Sequence, residues 1–330
     1  MSNVLNPNFD YTYDGKLSTE VFIQPAVQNP DITSLFRVVP GINYKQQFNI
    51  TTPLGKVMKG EQGCGTPVVT GDPVTIENRT VEVCAWEMYL EQCHDTFQAT
   101  IMGDLLRANV QEPDLVGTQL GNIIGGMVRD TIGRDIFRIF SFGDTSSGDP
   151  YYNKCDGLWP KLFAGAASYA VTAVNTNITS LAADDIEGDF DDLWSGADII
   201  LKQMDNSQKN FYVTGNAWES LMRKYENITI AGGFTIRIEG GVRVLYYRGI
   251  KVIPLYAWDR WIDIDNLGNN VRILYTTPMN HIIGVQEPRT MGNTRFWYDP
   301  NTNYNKIRAR FKLGYNYLHD KLQAISYGNV

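Results

Sequence analysis

A polar hairpin with a very long loop, followed by a long helix-patterned segment, constrains this chain more than any other feature. Residues 42–50 and 74–85 alternate apolar and polar side chains as strands do, and the second run shifts phase near Asn78–Arg79, which predicts a β-bulge. Residues 51–73 between them hold five glycines and three prolines. A loop of this length is uncommon inside a compact domain, and an isolated two-stranded hairpin is only marginally stable in water. We therefore expect a neighbouring subunit to support the hairpin.

A single long amphipathic helix is predicted for Leu115–Phe140. Apolar residues recur there at every third or fourth position, polar residues occupy mainly the other face, and Pro113 and Asp114 are typical residues for a helix start. About 26 residues would form a rod of roughly 39 Å. The segment also contains several glycines, which weaken a helix intrinsically, so we expect packing to stabilise it.

The composition excludes several classes of protein. The 330 residues carry a net charge of -7 and the pI is about 5.1, so binding of double-stranded DNA through a basic, sequence-reading face is not expected. The first residues lack the basic and apolar regions of a signal peptide, and no apolar run is long enough to predict a membrane span. We therefore expect a cytosolic product without a membrane contact.

The remaining segments are predicted from their local patterns. Residues 1–40 are predicted to form an extended arm, ordered rather than disordered because they carry apolar residues, and residues 143–180 are predicted to be rich in loops. The apolar residues of the arm are Phe9, Phe22, Ile23, Leu35 and Phe36. From residue 185 a mixed α/β pattern follows, with a helix near 189–205 and a second helix opened by a capping box over Asn216–Glu219. Strands are predicted at 210–214, 234–239, 242–248, 250–255, 271–276 and 281–286, and a last strand pair at 305–315 and 321–327.

No candidate catalytic, cofactor-binding or metal-binding residue emerges, and no cofactor is expected. The acidic run does not have the alternating spacing of a calcium loop, so its predicted role is helix capping and solvation. It comprises Asp184, Asp185, Glu187, Asp189, Asp191 and Asp192. The three histidines, His94, His281 and His319, have no zinc-binding spacing, and Cys93–His94 with Cys84 resembles a metal set only loosely.

The cysteines and tryptophans also have ordinary predicted roles. Cys64, Cys84, Cys93 and Cys155 form no CxxC pair, so in a reducing cytosol they are predicted to be buried thiols. Trp258, Trp261 and Trp297 are predicted to be buried or interfacial rather than a platform for a sugar ring. A glycan-binding or glycoside-acting protein is the alternative from another class, but Asp259, Asp263 and Asp265, the carboxylates near these rings, have a spacing typical of loop solvation.

The order of these segments resembles the major capsid protein of tailed bacteriophages, whose Hong Kong phage capsid fold is shared with encapsulins. Three C-terminal segments carry most of the resemblance: Gly249–Leu255, Arg272–Tyr275 with His281–Val285, and Asn305–Gly314. The closing segment His319–Ile325 lacks the proline-alanine pair common in relatives and departs from the pattern. The resemblance spans nearly the whole chain and implies an α+β fold.

The resemblance also implies a domain organisation. It comprises an N-terminal arm at 1–40, an E-loop at 41–85, a P-domain at 86–150 that includes a spine helix at 115–140, an A-domain at 151–280, and closing P-domain strands at 281–330.

The function implied by the resemblance is structural. The chain would self-assemble, as hexamers and pentamers, into an icosahedral shell that encloses double-stranded DNA; an encapsulin-like compartment with enzyme cargo is the alternative. Implied partners are a separate scaffolding protein, a portal, possible decoration proteins and nonspecifically contacted DNA, in a virion assembled in the host cytoplasm. Arg129, Arg134 and Arg138 are candidate phosphate contacts, although ion pairing with Asp130 and Asp135 is the favoured interpretation. Lys56 and Lys59 lie in the loop through which some relatives cross-link, but cross-linking is not expected here.

Overall fold

A computed structural model describes residues 35–51, 76–93, 119–226, 230–231, 233–286, 295–302 and 304–330. The described helices are α1 (Gln119–Phe142), α2 (Leu158–Ala167), α3 (Ala183–Gly196), α4 (Ile199–Gln203), α5 (Gly215–Tyr225) and α6 (Tyr256–Asp265). The first strands are β1 (Arg37–Val39), β2 (Lys45–Thr51), β3 (Ile76–Glu82), β4 (Cys84–Cys93) and β5 (Thr172–Ala173). The middle strands are β6 (Asn210–Val213), β7 (Ile230–Ala231), β8 (Phe234–Glu239), β9 (Val242–Tyr247) and β10 (Ile250–Pro254). The last strands are β11 (Val271–Thr276), β12 (His281–Val285), β13 (Arg295–Asp299), β14 (Tyr304–Tyr317) and β15 (Gln323–Gly328).

The long strand β14 organises a five-stranded sheet in the order β1-β12-β14-β13, with β4 also paired to β14. Residues 304–313 of β14 pair with β4, and residues 313–317 pair with β12. The N-terminal part of β14 lies between β4 and β13, and these three strands form a ribbon at one end of the sheet. The opposite end carries β1, which runs parallel to β12.

A second sheet of eight strands has the order β5-β15-β11-β6-β10-β9-β8-β7. Helices α3 and α5 pack against this sheet through one apolar cluster that includes Phe190, Leu221 and Phe211. The C-terminal half of α1 belongs to a different cluster, together with α2, α6 and the five-stranded sheet. A third, small cluster lies at the base of the hairpin. A two-stranded sheet of β2 and β3 completes the architecture.

The prediction of a long helix is confirmed, with α1 covering 24 residues, or about 36 Å. Its predicted start at residues 113–118 lies outside the described residues. Where its side chains are described, Ile132, Ile136 and Phe140 are buried as the pattern required. Arg138 is the exception, since it was assigned to the polar face and is 6% exposed. The apolar face therefore packs into the core as predicted, with one charged residue buried beside it.

The region between residues 143 and 205 was predicted correctly only in part. Helix α2 occupies part of the supposed loop, because Leu158, Trp159 and Leu162 supply an apolar face that is fully buried. The single helix predicted at 189–205 is two helices, α3 and α4. The chain is extended at Asp198, whose carboxylate accepts a hydrogen bond from the Ile200 amide at 2.9 Å and so caps a new helix.

Two strand predictions are also wrong. The last two strands, β14 and β15, do not pair with each other: β15 joins the eight-stranded sheet between β11 and β5. The predicted bulge at Asn78–Arg79 does not occur, because β2 and β3 pair in one unbroken register from Lys45–Glu82 to Thr51–Ile76. The irregular residue is Val83, which separates β3 from β4. The β12 region and the strands at 234–239 and 271–276 match their predictions closely.

The capping box predicted for Asn216–Glu219 is wrong because a carboxylate from elsewhere in the chain caps the helix. Helix α5 starts after Thr214, which makes no side-chain cap. Instead, Asp259 of α6 accepts hydrogen bonds from the amides of Gly215 at 2.5 Å and Asn216 at 3.2 Å. Burial raises the pKa of the Asp259 carboxyl, and the two amide bonds oppose that rise. Asp259 is therefore a structural residue on a helix, not a solvated loop residue as predicted.

The prediction that all four cysteines are thiols is wrong for one pair. Cys84 at the start of β4 and Cys155 in the loop after α1 form a disulfide, with Cα atoms 6.1 Å apart and a sequence separation of 71. The pairing depends on a sheet contact between distant segments, so the spacing of the cysteines could not reveal it. The Cys64 region and the Cys93 side chain lie outside the described residues.

His281 lies at the centre of a buried polar network beside the apolar cluster that contains the C-terminal half of α1. Its Nε2 lies 2.9 Å from Thr276 Oγ1, its Nδ1 lies 2.7 Å from the Tyr315 hydroxyl, and Phe36 packs edge-on against the ring at 5.5 Å. Complete burial lowers the pKa of His281 from 6.5 to about 3. The imidazole is therefore a neutral group of the core.

We predict that His281 makes the fold sensitive to acid. Unfolded histidine binds a proton near pH 6.5, whereas the folded residue resists protonation until about pH 3, so protons bind preferentially to the unfolded chain in this window. The free energy of unfolding should fall with pH between these values, by at most about 1.4 kcal/mol per pH unit from this group. Urea unfolding at pH 7, 6 and 5 measures it, and His281→Gln is the control. An identical pH dependence in both proteins would contradict the assignment.

Candidate assembly surfaces

Strands β2 and β3 form a hairpin stem, Lys45–Thr51 with Ile76–Glu82, that is exposed on most of both faces. Ile76 is 58% exposed and Tyr44, just before the stem, is 65% exposed. Phe48 is partly buried and packs against the small cluster at the hairpin base. The loop that joins the two strands, with Lys56 and Lys59, lies outside the described residues. An exposed two-stranded sheet offers unpaired backbone edges and apolar side chains to another molecule.

The hairpin base crosses the five-stranded sheet at a glycine slot, which we define as Gly284 of β12 and Gly314 of β14. The two glycines are paired directly in the sheet. A side chain on Gly314 would overlap the Glu82 carbonyl, and one on Gly284 would press against Ile42 and the side chains beside it. The absence of side chains thus lets the hairpin backbone lie directly on the sheet.

Apolar and polar contacts hold the crossing in place. Ile42, Val81, Val83 and Ile282 form the small buried cluster beneath it. The Val83 amide donates a hydrogen bond to the Tyr44 carbonyl at 2.9 Å, which closes the base of the hairpin. These contacts hold both segments of the hairpin in place at the point where they leave the five-stranded sheet.

Charged side chains add a second set of anchors beside the slot. Arg79 of β3 forms an ion pair with Asp320, and its guanidinium lies 5.7 Å from the centre of the Tyr317 ring. Asn316 donates a hydrogen bond to the Thr80 carbonyl at 2.8 Å, and Lys312 donates one to the Asn43 carbonyl at 2.8 Å. Both segments of the hairpin are therefore bound to β14 or to the turn that follows it.

The ribbon of β4, β13 and β14 presents a second surface of mixed character. Glu87 pairs with Arg308 and, at 3.4 Å, with Arg310. Lys306 lies 2.7 Å from Asp299 and 3.6 Å from Glu91. Exposed apolar side chains accompany these pairs, namely Tyr89, Leu90 and Tyr304. Such a surface combines weak, salt-sensitive ion pairs with apolar area, as protein interfaces do.

The turn between β8 and β9 forms a third surface at one edge of the eight-stranded sheet. Ile238 is 74% exposed and Val242 is 64% exposed on either side of it. Strand β7 pairs only with residues 234–235 of β8, so in the described part of the chain the rest of β8 is an open edge. Exposed edge strands favour pairing with another chain.

Most acidic side chains of the run in α3 make structural contacts. Lys224 pairs with Asp184 and with Glu187, and Arg248 lies 2.7 Å from Asp191. Asp189, which is buried, accepts a hydrogen bond from Asn175 at 2.7 Å. Across the described residues, no group of three or more histidine, cysteine or acidic side chains could hold a metal ion. The acids lie within the helix, with Asp184 and Asp185 in its first turn, and several of them bind residues of neighbouring elements.

Trp258 and two of the nearby carboxylates occupy structural positions. Trp258 is fully buried, with its ring centre 5.1 Å from that of Trp159. Asp259 caps α5, and Asp265 accepts a hydrogen bond from the Tyr152 hydroxyl. An open cleft of about 660 Å³ beside Asp259 and Asp263 is lined mainly by polar side chains. The burial of Trp258 and the hydrogen bonds of Asp259 and Asp265 therefore support structural roles for these three residues.

Two of the three candidate DNA-contacting arginines have described side chains. Arg138 is buried among the rings of Tyr151, Tyr152 and Trp261, and lies 3.4 Å from Asp135. Ion pairing with Asp135 is therefore confirmed, and a phosphate contact by Arg138 is excluded by its burial. Arg134 is exposed and donates a hydrogen bond to Thr131 at 3.2 Å. The side chains of Arg129 and Asp130 lie outside the described residues.

Sequence reasoning missed the functional anchors of the hairpin. Isolated glycines within strands often mark a close backbone approach, and Gly284 and Gly314 carried that signal. The Arg79–Asp320 pair joins residues 241 apart in sequence, and no local pattern indicates it.

His94 lies outside the described residues, and His319 accepts a hydrogen bond from the Lys321 amide at 3.1 Å. Among the described helices, none is long and apolar enough to cross a membrane.

Comparison with solved structures identifies the fold. A chain of the satellite phage P4 procapsid, a particle including the size determination (Sid) protein, matches 98% of this chain and 94% of its own length, with 11% identity and a TM-score of 0.60. The capsid of Myoviridae phage XM1 matches over 98% and 96%, with 12% identity and a TM-score of 0.52. The holo-SrpI encapsulin complex from Synechococcus elongatus matches over 90% and 86%, with 12% identity and a TM-score of 0.51.

These matches confirm the predicted fold class and the resemblance that suggested it. The chain has the mixed α and β architecture of phage capsid and encapsulin subunits, the Hong Kong phage capsid fold. Neither a protein-family model nor a curated protein sequence matches the chain. The likeness therefore resides in the three-dimensional structure.

We predict that Gly314→Ala displaces the hairpin base and lowers the free energy of unfolding by about 1–3 kcal/mol, because the added methyl group overlaps the Glu82 carbonyl. Gly188→Ala is the control, since nothing lies within 4 Å of the added atom in helix α3. That change should stabilise the protein by up to about 1 kcal/mol. Urea unfolding followed by tryptophan fluorescence measures both, and equal effects would contradict the proposed slot.

We also predict a measurable coupling between Arg79 and Asp320. Both side chains are partly buried, so their ion pair should contribute about 1 kcal/mol, the upper end for such pairs. A double-mutant cycle with Arg79→Gln and Asp320→Asn gives this energy from urea unfolding. The same cycle with Arg223→Gln and Glu219→Gln, a more exposed pair at 3.6 Å, should give a value near zero. A coupling at Arg79–Asp320 no larger than this control would show that the anchor is not energetically significant.

Proposed function

We propose that this chain is the major capsid protein of a tailed bacteriophage and assembles into an icosahedral shell around double-stranded DNA. The observation that carries the proposal is a fold shared with phage capsid chains over almost the full length of both partners. Several candidate ligand residues of α3 and α6, namely Asp189, Asp191 and Asp259, are engaged in structural contacts. The proposed role is therefore structural rather than enzymatic.

The domain organisation of that family fits this chain as follows. Residues 1–40 would be the N-terminal arm, and 41–85 the E-loop whose stem is β2 and β3. Residues 86–150 would form the P-domain around α1, with strands of 281–330 completing it. Residues 151–280 would be the A-domain, which holds most of the eight-stranded sheet.

Assembly would rest on many weak contacts. The hairpin stem reaches away from its own sheet with exposed apolar side chains, and a neighbouring subunit would cover them. The open edge of β8 and the ribbon of β4, β13 and β14 offer two further surfaces. Each contact alone binds weakly, but a subunit held at several surfaces at once gains effective concentration at each of them. Hexamers and pentamers are the proposed intermediate assemblies.

The proposed partners follow from the same function. A separate scaffolding protein would direct shell formation, a portal would occupy one vertex, and decoration proteins would bind the outside. Contact with packaged DNA would be nonspecific and weak, because the chain carries a net charge of -7 and nonspecific DNA affinity depends on cationic contacts. The shell would assemble in the host cytoplasm, become part of the virion, and need no membrane.

An encapsulin-like compartment is the second candidate, and the match to an encapsulin complex favours it specifically. Both functions use the same fold and the same kind of subunit contacts. They differ in cargo: a phage shell encloses DNA, and an encapsulin-like shell would enclose protein.

Electron microscopy of the protein expressed alone tests the proposal. Closed shells, or rings of five or six subunits, are the expected result. A folded monomer that remains monomeric at high concentration, with a proteolytically protected hairpin, would contradict both candidates. Shells that form alone and retain a host protein as cargo would favour the encapsulin-like compartment.

A matched pair of substitutions tests the role of the hairpin. Ile76→Asn on the hairpin stem and Ile264→Asn on α6 both replace an isoleucine that is more than half exposed, at 58% and 55%. Each should change the free energy of unfolding by no more than about 0.5 kcal/mol. We expect Ile76→Asn to reduce shell formation at least about tenfold at equal concentration, through loss of about 1.4 kcal/mol of contact energy per subunit. Sedimentation and microscopy measure it, and assembly equal to that of Ile264→Asn would contradict the prediction.

A further inference from the structure

The disulfide between Cys84 and Cys155 lies where the hairpin, the five-stranded sheet and the end of α1 meet. Cys84 is the first residue of β4 and follows Val83, the residue at the hairpin base. Cys84 pairs with Leu313 in the sheet, and the Leu313 carbonyl oxygen lies 3.8 Å from Cys155 Sγ. The two sulfurs are therefore placed side by side by β14.

Cys155 is held against the end of α1 by contacts that do not involve its sulfur. The Gly157 amide donates a hydrogen bond to the Gly143 carbonyl at 2.7 Å, and the Gly143 amide donates one to Ile139 of α1 at 2.9 Å. A side chain on Gly143 would overlap the Cys155 carbonyl, and one on Gly157 would overlap carbonyls at the end of α1. These contacts thus fix the position of Cys155 relative to the end of α1.

Cys84 is held in the same independent way. Its strand pairs with β14 over ten residues, and the residue before it is buried in the cluster beneath the glycine slot. The two Cα atoms lie 6.1 Å apart, within the range of native disulfides. Both residues are partly exposed, so a small oxidant can reach them. The folded chain therefore presents two thiols ready to join, whether or not the bond has formed.

We propose that Cys84 and Cys155 form a redox staple: two thiols while the subunit folds in the reducing cytosol, and a disulfide once the assembled protein meets a small-molecule disulfide such as oxidised glutathione. The timing rests on the proposed function, since the reducing cytosol is the environment where such a shell would assemble. The closed staple ties the base of the hairpin to the end of α1. The surface that would bind a neighbour is thereby fixed to the helix of its own subunit.

The chemistry is ordinary thiol–disulfide exchange. The Cys84 thiolate attacks one sulfur of oxidised glutathione, the glutathione S–S bond breaks, and one glutathione thiolate leaves. The Cys155 thiolate then attacks the Cys84 sulfur of the mixed disulfide and displaces the second glutathione. Two cysteine thiols are oxidised to one disulfide, one glutathione disulfide is reduced to two thiols, and the two protons lost by the cysteines end on the two glutathiones.

The staple should act on stability through a large covalent ring. The bond joins residues 71 positions apart, and the ring contains β4 and all of α1. Closing a ring of this size restricts the unfolded chain, which raises the melting temperature of the folded one. For a chain of this length we expect a rise of about 3–6 °C on oxidation.

The test uses the full chain with Cys64→Ser and Cys93→Ser, so that only the staple pair remains. Cells are lysed in iodoacetamide to trap thiols, and purified reduced protein is treated with oxidised glutathione and then alkylated after denaturation. Mass spectrometry should find two alkylated cysteines in the trapped sample and none after oxidation, with peptides containing Cys84 and Cys155 linked. Calorimetry should show the rise in melting temperature, which the additional Cys155→Ser control should lack.

Three results would each overturn the proposal: a bond already complete at lysis, two thiols that still react after oxidation, or a closed bond without a change in melting temperature. Linkage between subunits, seen as dimers on a non-reducing gel, would also count against it. Shell formation is read separately by microscopy of the same samples. A staple that closes as expected in a protein that never forms shells would contradict the proposed function and leave the redox staple standing.

Discussion

The crossing of the hairpin base over Gly284 and Gly314 is the contact on which the rest of this structure depends. A two-stranded hairpin has no core of its own, so its direction is set only where it touches the sheet. Two paired glycines allow the Glu82 backbone to lie directly on β14 and the side chains of Ile42 and Val81 to pack closely on β12. The Arg79–Asp320 pair then anchors one strand to the turn after β14. A hairpin fixed in this way presents its exposed side chains in one orientation, which ordered assembly requires.

Strand β14 and helix α1 connect this crossing to both ends of the molecule. β14 carries one half of the glycine slot, continues into the outer ribbon, and contacts the loop that holds Cys155. The C-terminal half of α1 belongs to the same apolar core as the five-stranded sheet, whereas α3 and α5 belong to the core of the eight-stranded sheet. The hairpin stem and the outer ribbon, two of the surfaces proposed for assembly, thus extend from segments that are anchored in the buried part of the molecule. That arrangement allows weak surface contacts to act on rigid supports.

Local patterns predicted the elements well where one segment determined its own structure. The strands at 234–239 and 271–276 and the long helix followed directly from apolar periodicity. Three of the failures share a cause, since each depended on a distant partner. Asp259 caps α5 in place of the predicted capping box, and β15 pairs with β11 instead of β14. Cys84 forms a disulfide with Cys155, which is distant in sequence. None of these partners is visible in a window of neighbouring residues.

The sequence by itself determined the order of the segments, the amphipathic helix, the polar hairpin and the acidic charge, because these depend on composition and short-range periodicity. From that order the resemblance to a capsid fold could be recognised without any matching family motif. Only the tertiary structure decided how the hairpin lies on the sheet, which carboxylates cap or pair, and which cysteines join. Those outcomes depend on contacts between residues up to 269 positions apart, and such contacts form only when the folded chain brings these residues together.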